Sequence, residues 1–104
     1  MRLLTLVLIL FTSLAALGNE AGANLYKGKA CITCHGADGS GNTPTGKSLK
    51  AGDLRSDTVQ KQTDEQLEAT IANGKGKMPS YKSAMNAAQI KDVVTYLRSF
   101  AKKP

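Results

Sequence analysis

Residues 31–36 read Cys31-Ile32-Thr33-Cys34-His35-Gly36, and this stretch decides how the rest of the 104-residue chain is read. Two thiols separated by two residues, with a histidine directly after the second, have the spacing of a covalent haem attachment site. Each thiol can add to one vinyl group of the same haem, and the histidine is then held directly under the iron. Cys31 and Cys34 are therefore read as tethers and His35 as a ligand. Two other uses of the cysteines fit less well. Thiol-exchange pairs of the thioredoxin kind sit beside alternating strand and helix patterns, which this chain lacks. A structural zinc normally takes four ligands from Cys and His, whereas the sequence holds two Cys and one His.

Composition points the same way. Beyond the first 18 residues there is no Trp, one Phe (Phe100) and three Tyr (Tyr26, Tyr81, Tyr96), so few large side chains are on hand to fill an interior. A domain this small rarely stabilises itself by apolar burial alone. One buried haem would supply the missing volume.

His35 is the only histidine, so a monomer cannot hold the iron between two imidazoles. Methionine is the usual second ligand where a haem only carries electrons. Met78 and Met85 compete for that place. Met85 stands immediately before the helix-capping residue Asn86, with Ile90 beyond it, as in a hydrophobic staple. Met78 stands in Gly74-Lys75-Gly76-Lys77-Met78-Pro79, a flexible approach to a residue whose backbone is restricted by the following proline, and it is the preferred ligand. A ligating histidine usually donates its other ring proton to a carbonyl or carboxylate. Pro44 is the candidate source of that carbonyl; its other use would be to stiffen a turn.

The flanking chain reads as all-α. A short helix is predicted to end near His35 and Gly36, with Leu25 and Tyr26 before the cysteines. Residues 36–52 are rich in Gly, Ser and Thr and read as a long functional loop. Thr63-Asp64-Glu65-Gln66 is a capping box opening a helix that places Leu67 and Ile71 on one face and stops at Asn73-Gly74. A second loop covers residues 74–84. Asn86-Ala87-Ala88-Gln89 repeats the capping pattern before a last helix carrying Ile90, Val93, Val94, Leu97 and Phe100 at helical spacing, with Tyr96 beside them. No alternating strand pattern occurs.

At the N-terminus, Arg2 and the apolar run from Leu3 to Leu17 have the form of a secretory signal, too short to span a bilayer. Residues 1–18 are expected to be removed, leaving one domain at 19–104; the pattern Ala21-Gly22-Ala23 offers a later cleavage at 23. An uncleaved segment would instead hold the domain at the membrane surface; Thr12 and Ser13, which interrupt the run, favour cleavage. The expected location is the periplasm or another extracytoplasmic space.

The haem motif near the mature start, Gly76-Lys77-Met78-Pro79 and the amphipathic last helix together resemble the class I c-type cytochromes, most closely the small bacterial periplasmic members. The resemblance covers essentially the whole mature chain. It implies the cytochrome c fold, with three to four short helices wrapped around one covalent haem c, the first and last crossing and one haem edge exposed. It also implies axial ligation by His35 and Met78, with Pro44 accepting the histidine's hydrogen bond. One departure is visible: the family commonly places an aromatic four residues before the first haem cysteine, and here Tyr26 is five before Cys31. Gly22 and Tyr26 keep the family's four-residue separation, so one extra residue before Cys31 accounts for the offset.

Gly41-Asn42-Thr43-Pro44-Thr45-Gly46-Lys47-Ser48 satisfies the phosphate-loop pattern, but no apolar strand precedes it, so nucleotide binding is rejected. The net charge is +6, and Lys27, Lys29, Lys47, Lys50, Lys75, Lys77 and Lys82 fall in segments expected around the haem. They suit docking onto larger redox proteins with acidic faces, attraction to anionic lipid headgroups, or simple solubility. Nucleic acid is not an expected partner, for lack of any recognition motif. The expected function is a monomeric single-electron carrier without catalysis of its own, since neither paired carboxylates nor a nucleophile with its base is present. The alternatives are a peroxidase-like haem enzyme with a vacated sixth site, and a dedicated subunit of a dehydrogenase or oxidase complex.

Overall fold

The computed structural model describes residues 20–101; the signal segment read at 1–18 lies outside them. The described chain is helical at residues 20–28 (α1), then forms α2 (Cys31–His35), α3 (Pro44–Leu49), α4 (Asp57–Gln60), α5 (Asp64–Asn73) and α6 (Ala87–Arg98). Among the described residues the only extended pairing is an isolated bridge between Lys75 and Met78. The all-α expectation holds, with six helical stretches in place of three to four.

The extra elements have local causes. The helix expected to run up to His35 is two helices, because Ala30 adopts the left-handed conformation (φ 67°) between them. The 36–52 loop contains α3, which starts at Pro44 with Thr43 as its N-cap; the hydroxyl of Thr43 accepts from the Gly46 amide. A proline at the first helical position loses nothing, since its missing N–H would have had no partner there. α4 is four residues long and capped by Ser56. Neither is long enough to show a hydrophobic period.

The two capping boxes form as expected. Gln66 N–H donates to Thr63 Oγ1 and Thr63 N–H donates to Gln66 Oε1, at 3.1 and 2.9 Å. Asn86 and Gln89 repeat the exchange at 2.9 and 2.8 Å. Such caps contribute about 1 kcal/mol each.

Helices α1, α5 and α6 enclose the core. Leu67 and Ile71 of α5 face Ile90, Val93, Val94 and Leu97 of α6, with Tyr26, Leu54 and Met85 completing the cluster. Val93 and Tyr26 are each 1% exposed, and burying such a side chain stabilises by roughly 1.5–3 kcal/mol. α1 meets α6 through Gly22: a Cβ there would lie 2.2 Å from the Asp92 carbonyl oxygen and 2.7 Å from Tyr96 Cβ. Tyr26 continues the contact one turn on, its ring 5.3 Å from Tyr96 and 5.5 Å from Phe100. The first and last helices thus pack backbone to backbone, as the resemblance implied.

Candidate haem site

Helix α2 presents the attachment motif. At a spacing of three, Cys31 and Cys34 lie one helical turn apart on the same side, and both are free, half-buried thiols. Cys31 packs against the core, and burial raises its pKa above the ordinary thiol value.

A helix of five residues cannot hold itself, and the loop behind it does so. Thr43 Oγ1 shares its proton between the carbonyls of Thr33 (2.8 Å) and Cys34 (3.1 Å). Gly41 N–H donates to the His35 carbonyl at 2.7 Å. The Gly36 carbonyl accepts from Gly39 N–H and from the hydroxyl of Tyr26, the latter at 2.5 Å. Burial of Tyr26 raises its phenol pKa far above the usual value, so this hydroxyl stays a donor at all ordinary pH. Gly46 allows α3 to reach α2: a Cβ at this position would collide with the Cys34 carbonyl. The stretch that imitates a phosphate loop is in fact the brace of the haem motif.

His35 Nδ1 lies 3.0 Å from the carbonyl oxygen of Gly52. A carbonyl can only accept, so Nδ1 carries a proton here, and the neutral imidazole that pairs this way has its lone pair on Nε2, the form a metal ligand needs. The expectation that Pro44 supplies this carbonyl is corrected here. Pro44 is the first residue of α3, where its carbonyl enters the helix, and Gly52, eight residues later, takes the role.

The two methionines separate by burial. Met85 is 3% exposed and belongs to the core cluster, as the staple reading expected. Met78 is half-buried at the margin of that cluster. Its loop is a tight turn in which Lys75 and Met78 exchange backbone hydrogen bonds at 3.1 and 2.9 Å, with Gly74 and Gly76 at positive φ. The loop folds back on the end of α5 through Tyr81 N–H to the Ile71 carbonyl and Lys82 N–H to the Ala72 carbonyl. Tyr81 has its phenol pKa raised by burial and then by Cys31 and Cys34, and Cys31, Met78 and Tyr81 all pack against the same core cluster. Tyr81, Thr43 and Gly52 escaped the sequence reading, because each acts through a tertiary contact without a motif of its own.

Two free thiols, an imidazole with the correct nitrogen free and a half-buried thioether at the core margin form a donor set suited to haem c. The class so defined is a small all-α protein that carries its haem through Cys-x-x-Cys-His. Residues 18–97 match the family described as cytochrome c oxidase, cbb3-type, subunit III. Among curated relatives, cytochrome c6 of Leptolyngbya boryana is 35% identical over 80% of this chain and 93% of its own length. Cytochrome c6 of Synechocystis sp. is 33% identical over 92% of this chain and 82% of its own, and that of Euglena viridis 31% over 81% and 94%. The chain belongs to the class I c-type cytochromes. It is a small electron carrier and not an enzyme, and it holds one haem c covalently.

Proposed function

We propose that this cytochrome is an extracytoplasmic, monomeric one-electron carrier in which His35 and Met78 would supply the protein ligands to the haem iron. The observation that carries this reading is the pairing of His35 Nδ1 with the Gly52 carbonyl, which leaves Nε2 as the free donor. Bound haem supplies the one-electron couple; the chain fixes its ligands and shelters them. The Thr43, Gly41 and Tyr26 hydrogen bonds hold α2 rigid, so electron transfer has little reorganisation to overcome there. Met78, a soft thioether, favours the ferrous state and raises the potential. Met85, 3% exposed in the core, supports the choice of Met78.

Export rests on the signal pattern at residues 1–18. Cleavage after Gly18 is favoured over cleavage after Ala23, because only the former keeps Gly22 in its contact with Asp92 and Tyr96. Docking onto acidic partners rests on the charge pattern. Lys47 and Lys50 stand in the acid-free stretch between Asp38 and Asp53, and Lys75, Lys77 and Lys82 in that between Glu68 and Asp92. All five are exposed.

The test is expression with the haem-attachment machinery. The purified protein should weigh one haem more than the cleaved polypeptide, and its ferric form should be low-spin with a near-infrared sulfur-to-iron band. Met78→Ala should lose that band and lower the potential. Met85→Ala should keep it and lose about 2–5 kcal/mol of stability. A high-spin ferric spectrum in the unmutated protein would falsify the ligand assignment. The family description favours one second reading, a cytochrome subunit of an oxidase. Purification as a lone monomer supports the free carrier, whereas co-purification with a membrane oxidase supports the subunit.

A further inference from the structure

Gln60 touches neither the thiols nor His35, yet the hydrogen bonds around it lead to the histidine. Its side-chain amide donates to the Leu54 carbonyl at 2.7 Å and to the Leu97 carbonyl at 3.1 Å. Both amide protons are thus spent on one bridge between the chain after Gly52 and the last turn of α6. Arg98 holds Gln60 from the other side. Its Nη1 donates to the Gln60 main-chain carbonyl at 2.9 Å and to the side-chain oxygen at 3.4 Å. Its Nη2 donates to the Gln62 carbonyl at 2.7 Å and to Asp64 at 2.8 Å.

Leu54 is pinned at its other end by its N–H, which donates to the Gly39 carbonyl at 2.7 Å. Two residues earlier stands Gly52, whose carbonyl receives the Nδ1 proton of His35. Gly52 is exposed, and a Cβ there would meet nothing within 4 Å, so its carbonyl is aimed by the backbone on either side. Ala51 N–H donates to the Gly46 carbonyl at 2.8 Å and the Asp53 carbonyl accepts from Ser56 N–H at 3.2 Å, and the Leu54 anchor completes this support.

We infer that Gln60, clamped by Arg98, is a positioning residue for His35: it fixes the 52–54 backbone so that the Gly52 carbonyl keeps the Nδ1 proton and sets the donor strength of Nε2. The inference rests on the proposal that His35 ligates the haem iron. A carbonyl accepting the ring proton makes the imidazole more basic and a stronger donor to ferric iron. Loosening that carbonyl weakens the donor and favours the ferrous state, so the potential rises.

The test uses the holoprotein, with two readouts: the midpoint potential and the solvent exchange of the His35 Nδ1 proton in the ferrous state. Gln60→Leu keeps the size and removes both donors. It should raise the ferrous-to-ferric ratio at fixed ambient potential about threefold, or ~30 mV at 59 mV per decade, and speed the exchange several-fold. Arg98→Lys, which loses the fork but keeps the charge, should move both in the same direction by less. Ile90→Ala removes core volume two turns of α6 before Leu97 and serves as a destabilised control that should move neither. If the two network variants shift the potential and the exchange no more than Ile90→Ala does, Gln60 is only structural and the inference is overturned. If the unmutated protein lacks His35 ligation, the proposed function and this inference fall together; with ligation intact and silent variants, the inference alone falls.

Discussion

At the scale of single residues, Ala30 shows how the chain absorbs its departure from the family pattern. Tyr26 stands five residues before Cys31, and the extra residue is taken up where Ala30 turns left-handed between α1 and α2. A non-glycine residue in that conformation costs roughly 1–2 kcal/mol. Glycine removes that cost but adds about 0.5–1 kcal/mol of entropy to the unfolded chain. The first effect is the larger, so Ala30→Gly should raise the thermal midpoint and Ala30→Val, with its branched Cβ, should lower it. Equal midpoints for both would mean that the turn is not held in solution. The departure was visible in the sequence; its solution was not, because an alanine carries no signal for a left-handed turn. The same limit applies to the histidine's partner. Pro44 attracted attention as a rigid residue in the right loop, while Gly52 has no side chain by which to be noticed.

Helices and their junctions differ in how much of them was readable. The boxes at Thr63 and Asn86 were, because a cap is a contact between residues three apart and needs nothing from the rest of the molecule. α3 and α4 were not, since six and four residues are too few to show a period. The α1–α6 junction yields a paired prediction. In an open helical position Gly→Ala stabilises by about 1 kcal/mol. Gly28, whose Cβ would meet nothing within 4 Å, should show that gain. At Gly22 the obstacle is a backbone carbonyl at 2.2 Å, which cannot rotate away as a side chain could. Gly22→Ala should therefore destabilise by roughly 1–3 kcal/mol in chemical denaturation. Two changes of the same sign would refute the packing described for these helices.

For the whole molecule the distribution of charge matters more than the total of +6. Asp64, Glu65 and Glu68 gather on α5, while Lys47, Lys50, Lys75, Lys77 and Lys82 occupy stretches without acids. Such a dipole orients encounters as well as accelerating them. Electron exchange with an acidic redox protein should slow on the order of tenfold as added salt shortens the Debye length from about 30 Å at 0.01 M to about 3 Å at 1 M. Stopped-flow rates for Lys50→Glu and Lys77→Glu should lose most of that dependence, and Lys61→Glu, beside the acids of α4 and α5, should keep it. Rates indifferent to salt would leave the lysines only a solubilising role.

The sequence by itself determined the cofactor and marked Cys31, Cys34 and His35 as the residues proposed to hold it, because covalent attachment demands adjacent residues at fixed spacing. It also determined the all-α class and the core faces of α5 and α6, since helical periodicity and caps are local. Only the tertiary structure decided which carbonyl holds His35, which loop braces α2, and which methionine is locked in the core. Those choices are made between residues far apart in the chain, where a backbone carbonyl or a glycine acts by position alone and leaves no pattern to read.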